Sequence, residues 1–363
     1  MSEVFRCFMG AGGPGGFVSL FDRLGDRAEG WRGIVIKGGP GTGKSTLMRR
    51  VEDALSPDCG EIEEVHCSSD ERCLDALIFP EKKLWIADGT PPHTIEPAYP
   101  GAYEQSFSLC ECWKPALLRA RRDEIFALFD AAADCHREAM SYIGGAAALL
   151  GEVRRMAAAY TDEDKISRLA RSLAQRELHL PHGNGREGSR GKERVRILSA
   201  ATDRGRVLYG ERLELPRLYV IEDRWGFAAP LLMAALRELA LSAGLDVVTC
   251  VCPLAPLTRI DHLLIPSRGV GFAVRSAFHP VEAPACRIMH AERFTDKAGL
   301  SAHRGRIKFL QRAAENLMDQ ACAQMAQAKL LHDRLESIYV SAMDYDAVDA
   351  LSRRVVAFAL QIQ

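Results

Sequence analysis

The sequence predicts an α/β fold present in two copies, each built as a parallel sheet flanked by helices. Three observations predict it. A β-branched run, Gly33–Lys37, leads into a glycine-rich segment and then into a helical run over residues 45–51. Further apolar runs follow in the alternating order that is typical of βαβ units. The second half of the chain then repeats the pattern of the first.

The glycine-rich segment after the first of these strands fits the phosphate-binding pattern G-x-x-x-x-G-K-[ST] at every fixed position. Its predicted nucleotide-binding residues are Gly38, Gly39, Pro40, Gly41, Thr42, Gly43, Lys44, Ser45 and Thr46. Glycines let backbone N–H groups converge on a phosphate, and the following helix N-terminus adds partial positive charge. Lys44 would reach the β- and γ-phosphates, and the Ser45 hydroxyl would bind Mg²⁺. The sequence therefore predicts a P-loop NTPase fold with ATP and Mg²⁺ as ligands.

An earlier glycine-rich run, Arg6–Val18, contains no Gly-Lys-Ser/Thr sequence. We interpret it as a flexible turn before a short helix near Ser19–Leu24, with a lid or edge segment near the nucleotide as the alternative.

Two more strands are predicted at Ile62–Cys67 and Lys83–Ala87, and the second ends at Asp88. The carboxyl ends of parallel strands meet at one edge of a sheet. We therefore expect these polar residues to gather near the phosphates: Ser68, Ser69, Asp70, Asp88, Thr90 and His93. Asp88 is the natural Walker B carboxylate, holding Mg²⁺ through water together with Ser45, so that Lys44 and Asp88 are the predicted catalytic residues. No Glu follows Asp88, and the usual water-activating base is missing.

Amphipathic helices are predicted from about residue 113 to residue 180, where apolar residues recur at i, i+3, i+4 and i+7. Gly144-Gly145 is predicted to break the first helix from the second. The acidic run 161–164 is predicted to cap a third, which begins near Lys165. Two roles remain open for this helical lobe. Its helices either pack on the sheet or form an inserted lid or partner surface. The polar stretch 181–191 is predicted to be a linker.

The repeat becomes visible when Arg32–Ile36 is aligned with Arg217–Ile221, 185 residues later. Continued forward, the alignment places Asp75 on Asp261 and His93 on His279. It predicts a nucleotide-binding domain over 1–180 and a second copy over 192–363, whose own helical lobe covers about 290–363.

The second copy lacks the chemical groups of the first. Gly38 aligns with Asp223, Gly43 with Ala228, Lys44 with Ala229, Ser45 with Pro230 and Asp88 with Val274. The cation, the metal-binding hydroxyl and the carboxylate are all replaced, so we expect a single nucleotide site per chain, with Asp223 repelling a second phosphate.

Three segments in order resemble a family of bacterial two-repeat P-loop ATPase-like proteins, which is largely uncharacterised. They are Gly38–Ser45, His66–Asp70 and Asp88–His93, and the resemblance spans essentially the whole chain. It implies a P-loop fold and ATP binding. The second loop departs from the family pattern, in which both loops are generally intact.

The composition is typical of a globular protein: 363 residues, 47% apolar, with a net charge of −1. The charge gives no basis for nucleic-acid binding, and no membrane-spanning run or signal segment is present, so a cytoplasmic location is predicted. The eleven cysteines are interpreted as reduced thiols, and a cysteine metal site at the close pairs 110/112 and 250/252 is disfavoured.

The sequence predicts a Mg²⁺-dependent ATP-binding protein, a slow ATPase whose second repeat is a pseudo-domain. Two alternatives remain open. One is a small-molecule or nucleotide kinase with an unidentified acceptor, and the other is an ATP-gated interaction module with an unidentified protein partner. A GTPase is disfavoured, because neither Asn184 nor Asn316 lies in the Asn-Lys-x-Asp context that recognises guanine.

Overall fold

The computed structural model describes residues 2–91, 94–180, 189–256 and 258–362. The strands of the first repeat are Glu3–Cys7 (β1), Gly10–Gly13 (β2), Gly16–Ser19 (β3), Arg32–Lys37 (β4), Glu61–His66 (β5), Leu74–Phe79 (β6), Leu84–Asp88 (β7) and Glu104–Ser108 (β8). Its helices are Lys44–Leu55 (α1), Pro115–Ala120 (α2), Arg122–Ala158 (α3) and Glu163–Glu177 (α4).

The second repeat contains the same elements in the same order. Its strands are Glu193–Arg196 (β9), Ser199–Thr202 (β10), Gly205–Leu208 (β11), Arg217–Glu222 (β12), Val247–Val251 (β13), Ile260–Ile265 (β14), Val270–Arg275 (β15) and Arg287–His290 (β16). Its helices are Ala228–Ser242 (α5), Lys297–Ser301 (α6), Arg304–Ser341 (α7) and Tyr345–Leu360 (α8).

Each repeat forms a six-stranded sheet with the same topology. The first has the order β1-β5-β6-β7-β4-β8, and the second has the equivalent order β9-β13-β14-β15-β12-β16. The α/β class and the duplication are therefore confirmed. The sheets are mixed and not wholly parallel as predicted, because β6 and β14 run antiparallel to both of their neighbours.

The two sheets pack face to face and share one apolar core. Val35 and Ala87 of the first sheet belong to the same cluster of buried side chains as Val220 and Ala273 of the second. The central strands are therefore covered on both faces, which explains why they read as continuous apolar runs.

The outer face of each sheet is covered by one helix of its own repeat and one of the other. Leu351 and Val355 of α8 pack with Leu47 of α1 on the first sheet. Ile166 of α4 packs with Leu232 of α5 on the second sheet. The last helix of each repeat has crossed over to the partner repeat.

The long helices α3 and α7 make this crossing possible by running antiparallel to each other. Ile125 near the start of α3 packs with Ile338 near the end of α7, and Val153 near the end of α3 packs with Ile307 near the start of α7. Isolated bridges close both ends of the pair, joining Trp113 to Met343 and Thr161 to Thr295.

The predicted helix break at Gly144-Gly145 is wrong, since α3 continues through it. A Cβ at Gly144 would lie 3.3 Å from the Pro14 carbonyl oxygen, and one at Gly145 would lie 3.1 Å from Leu317. These glycines permit close packing inside a helix. The predicted cap of the next helix is present, because Asp162 accepts a hydrogen bond from the Lys165 amide at the start of α4.

The first glycine-rich run is also ordered differently from the prediction. It forms the β2–β3 hairpin and not a flexible turn, and β10–β11 is its counterpart in the second repeat. Most of the predicted linker, residues 181–188, lies outside the described residues. Within the described ranges, no helix has the length and apolar character needed to cross a membrane.

Candidate functional site

The first loop, Gly38–Ser45, connects the central strand β4 to α1, as the sequence predicts. Gly41 and Gly43 have φ values of 64° and 88°, in the left-handed region that favours glycine. Gly43 is the N-cap of α1 and, having no side chain, provides no side-chain cap for this helix end. The loop therefore turns sharply and leaves the first N–H groups of α1 without a side-chain acceptor.

Lys44 lies within the loop and folds over it. Its Nζ donates hydrogen bonds to the carbonyl oxygens of Gly38, at 2.9 Å, and Gly39, at 2.8 Å. It also lies 3.5 Å from Asp88 Oδ2. The structure thus brings the two predicted catalytic side chains together.

Asp88 ends strand β7 beside β4, because the two strands are paired in parallel and Ile36 lies opposite Asp88. Its Oδ1 accepts hydrogen bonds from the Thr90 amide, at 2.9 Å, and the Thr90 hydroxyl, at 2.5 Å. Its Oδ2 faces Lys44. Asp88 is therefore both a turn residue and an acidic neighbour of the loop.

Ser45 is positioned by the antiparallel strand β6, which sequence reasoning did not identify. Its Oγ accepts a hydrogen bond from the Leu74 amide at 3.2 Å. A metal bound to this hydroxyl would compete with that contact. Ser45 Oγ and the Asp88 carboxylate are oxygen ligands, the kind that Mg²⁺ prefers.

Of the other polar residues predicted to gather at this edge, Asp70 is held by a neighbouring side chain. Asp70 pairs with Lys329 of α7 at 3.1 Å. Ser68 is buried, and His93 lies outside the described residues. His66 Nε2 lies 3.0 Å from Glu64 Oε2, and this hydrogen bond lowers the pKa of the Glu64 carboxyl to about 2. His66 therefore belongs to a structural network.

Helix α7 of the second repeat lies directly against the first loop. A Cβ at Gly41 would lie 3.0 Å from the Glu336 carbonyl oxygen and from Val340, and one at Gly39 would lie 3.2 Å from the Tyr339 ring. These glycines are therefore also required by helix packing. No motif in α7 predicts its contact with the first loop. The amphipathic pattern of α7 predicts an apolar face, but it does not predict which element packs on that face.

Ionisable groups of α7 extend this surface beyond the loop. His332, Asp333 and Glu336 present ligand atoms within 4.8 Å of one another. Burial lowers the pKa of His332. The positive charges of Lys329 and Lys44 also lower it, whereas the negative charge of Glu336 raises it. The ring is therefore held towards its neutral form beside Lys44.

The second loop, Asp223–Pro230, shows what the same turn does when its first glycine is replaced. Asp223 Oδ1 accepts hydrogen bonds from the Trp225 amide, at 3.2 Å, and the Gly226 amide, at 2.9 Å, and its Oδ2 accepts one from the Ala229 amide at 2.8 Å. Sequence reasoning gave Asp223 a repulsive role. In the structure, the Asp223 carboxylate itself accepts the hydrogen bonds of these backbone N–H groups.

A cavity of about 280 Å³ lies beside this second loop. Arg154 of α3 and Arg259 line it together with Trp225, and the Arg154 Nη1 atom has no hydrogen-bond partner among the described residues. Arg154 occupies the position in α3 that Glu336 occupies in α7, each beside the equivalent glycine of a loop. The two sites thus differ in charge as well as in loop chemistry.

No protein-family model, curated protein or solved structure matches the chain.

Proposed function

We propose that the first repeat binds Mg²⁺–ATP through a P-loop formed by Gly38–Ser45 and Thr46, and hydrolyses it slowly. The second repeat serves as a pseudo-site. The proposal rests on one observation: the second loop already holds a carboxylate on three backbone N–H groups. The same turn in the first repeat has glycine in place of Asp223, and adds a lysine.

The chemistry of the first site fits a nucleotide polyphosphate. A carboxylate and a phosphate are both oxyanions, so donors that hold one in the second loop suit the other in the first. Lys44 would exchange its carbonyl contacts for the β- and γ-phosphates, and would balance their charge. Ser45 and Asp88 would hold Mg²⁺, which would supply Lewis-acid stabilisation of charge on the transferred phosphoryl group.

Calorimetric titration with a non-hydrolysable ATP analogue and Mg²⁺ tests the proposal. We expect about one nucleotide per chain, with affinity lowered at least about a hundredfold by Lys44→Ala, which removes charge-assisted contacts. Lys308→Ala, at an exposed lysine of α7, is the matched control. Unchanged binding by Lys44→Ala, or two nucleotides per chain, would contradict the proposal.

Asp88→Asn separates the metal role from the turn role. The amide keeps an oxygen that can accept the Thr90 hydrogen bonds but lowers the charge facing Mg²⁺. We expect nucleotide binding to persist and Mg²⁺-dependent turnover to fall about tenfold or more. Equal losses in the presence and absence of Mg²⁺ would leave Asp88 with the turn role alone.

An ATP-gated interaction module is a second candidate function, and the packing of α7 on the loop favours it. A nucleotide that displaces the Gly39 and Gly41 contacts would move a helix belonging to the other repeat. Amide hydrogen exchange over residues 329–341 should then change on addition of the ATP analogue. If the ATP analogue changes amide hydrogen exchange only in the loop and α1, the result would argue for a simple ATPase.

A further inference from the structure

Three buried side chains with metal-binding atoms meet at one end of the second sheet, away from the first loop. Cys252 follows β13, Asp261 lies in β14 and His279 follows β15. The three residues are 0%, 1% and 3% exposed. Their ligand atoms all lie within 4.8 Å of one another. The chain thus brings three separate segments to one point inside the protein.

The hydrogen bonds around this cluster leave its centre unsatisfied. His279 Nδ1 lies 2.9 Å from Ser199 Oγ on β10, and Arg259 Nε donates to Asp261 Oδ1 at 2.8 Å. The other carboxylate oxygen, Asp261 Oδ2, lies 3.1 Å from His279 Nε2 but makes no well-aligned hydrogen bond in the described part of the chain. A buried, charged acceptor without a well-aligned hydrogen bond is costly, and a cation between these ligand atoms would satisfy it.

We propose that Cys252, Asp261 and His279 form a Zn²⁺ site with three protein ligands, in which a water molecule takes the fourth position. Two ligands of a tetrahedral zinc ion, at about 2.0–2.3 Å from the metal, lie about 3.3–3.6 Å apart. His279 Nε2 lies 3.7 Å from Cys252 Sγ and 3.1 Å from Asp261 Oδ2. The three side chains therefore stand close to the separations that zinc requires.

The chemistry of the ligands selects zinc over the hard cations. Thiolate and imidazole together favour Zn²⁺, whereas Mg²⁺ and Ca²⁺ prefer oxygen ligands alone. Ser199 and Arg259 would hold the His279 ring and the Asp261 carboxylate from outside, the usual arrangement around a metal ligand. Two negative ligands would balance the charge of the ion.

The same three residue types recur in order in the first repeat. Cys67 corresponds to Cys252, 185 residues later, and Asp75 and His93 correspond to Asp261 and His279, 186 residues later. His93 lies outside the described residues, so the proposal concerns the second repeat.

Elemental analysis of the full chain, incubated with Zn²⁺ after chelator treatment and then dialysed, tests the proposal. We expect Cys252→Ala and His279→Ala to hold about one zinc ion fewer per chain than the wild-type protein. Cys250→Ala is the matched control, since Cys250 is equally buried on β13 but outside the cluster. The zinc content of Cys67→Ala shows whether the first repeat also holds zinc. Lys44→Ala should hold as much zinc as the wild-type protein.

Cobalt substitution provides a readout that does not depend on the variants being folded. Wild-type protein loaded with Co²⁺ should show thiolate-to-cobalt charge transfer and the visible bands of a tetrahedral ion, and Cys250→Ala should keep both. Wild-type protein without tightly held zinc and without a thiolate–cobalt band would overturn the proposal. Zinc retained in full by Cys252→Ala would also overturn it.

Discussion

At the scale of single residues, Asp223 gives the clearest account of how the two repeats differ. One substitution relative to the first loop places a carboxylate on three backbone donors, where it also caps α5. Asp223 therefore stabilises the second loop through the same backbone donors that we propose hold phosphate in the first loop.

Replacing Asp223 by alanine should destabilise the protein by about 2–4 kcal/mol, because three N–H groups, two of them in buried hydrogen bonds, lose a charged acceptor. Inorganic phosphate should recover part of this loss by occupying the same donors. Thermal melts with and without phosphate measure both effects. Asp246→Ala is the control, since Asp246 accepts one exposed hydrogen bond, from the Lys192 amide. If phosphate raises the melting temperature of Asp223→Ala no more than that of the wild-type protein, this account is wrong.

The residues of the first loop could be placed from sequence, because the motif fixes its own geometry. Gly43 and Lys44 lie at the strand-to-helix turn as expected, and Asp88 follows because β7 pairs with β4. The contribution of α7 could not be placed. Tyr339 reaches Gly39 of the loop, and Lys329 reaches Asp70, through a crossing of helices that no local pattern encodes.

At the scale of elements, the glycines of the long helix α3 differ in whether packing requires them. Gly151 in α3 has open surroundings, since an added Cβ would meet only Arg154 Nη2, at 3.7 Å. Gly144 in the same helix is confined by a backbone carbonyl at 3.3 Å. The two positions therefore form a matched pair.

Gly151→Ala should stabilise the protein by about 0.5–1 kcal/mol, because alanine restricts the unfolded chain and favours a helix. Gly144→Ala has the same intrinsic gain but must displace the Pro14 carbonyl, so its net effect should be smaller or destabilising. Urea denaturation of both variants measures the difference. A larger gain from Gly144→Ala would show that the Pro14 contact does not constrain the helix.

Sequence patterns identified the strands of the sheet unevenly. The runs that became β4, β5 and β7 were predicted. Leu74–Phe79 became β6 and was not predicted as a strand, since Asp75 interrupts its short apolar run, although all six of its residues are buried. The break predicted at Gly144-Gly145 failed because intrinsic propensity yields to the packing of α3 against α7.

At the scale of the whole molecule, a buried ion-pair cluster joins the two repeats. Glu63 of β5 is 0% exposed, and its carboxylate accepts hydrogen bonds from Arg196, at 2.6 Å, and Arg194, at 2.8 Å. Burial opposes the charged form of Glu63, but the two guanidinium groups outweigh it and hold the pKa of the carboxyl below its usual range.

Glu63→Gln should destabilise the protein by about 3 kcal/mol at pH 7, because it leaves buried guanidinium charge without a partner. The stabilisation by Glu63 is complete above the pKa of an unfolded glutamate, about 4.3, and is lost as pH falls through the lower folded value. Stability should therefore depend less on pH below about 5 in the variant. Denaturant titrations between pH 3 and pH 7 test this. Glu238→Gln, in an exposed pair with Arg190, should change stability by less than about 1 kcal/mol.

Separate expression of residues 1–180 and 189–363 tests the crossing of helices directly. Each half lacks one of the two helices that cover the outer face of its sheet, so neither should be monomeric and soluble alone. Mixed and refolded together, they should form a one-to-one complex, measurable by light scattering. A stable, monomeric first half would show that α8 is dispensable to its sheet.

The exchange of α4 and α8 also bears on how such a chain could arise. A protein with one repeat would complete its fold only by pairing with an identical copy, and would fall apart on dilution. Duplication within one gene replaces that encounter with a tether, which holds the halves together at an effective concentration of about millimolar. Once assembly no longer depends on two identical partners, the halves are free to diverge. The tether therefore permits one half to keep its lysine while the other replaces a glycine by aspartate.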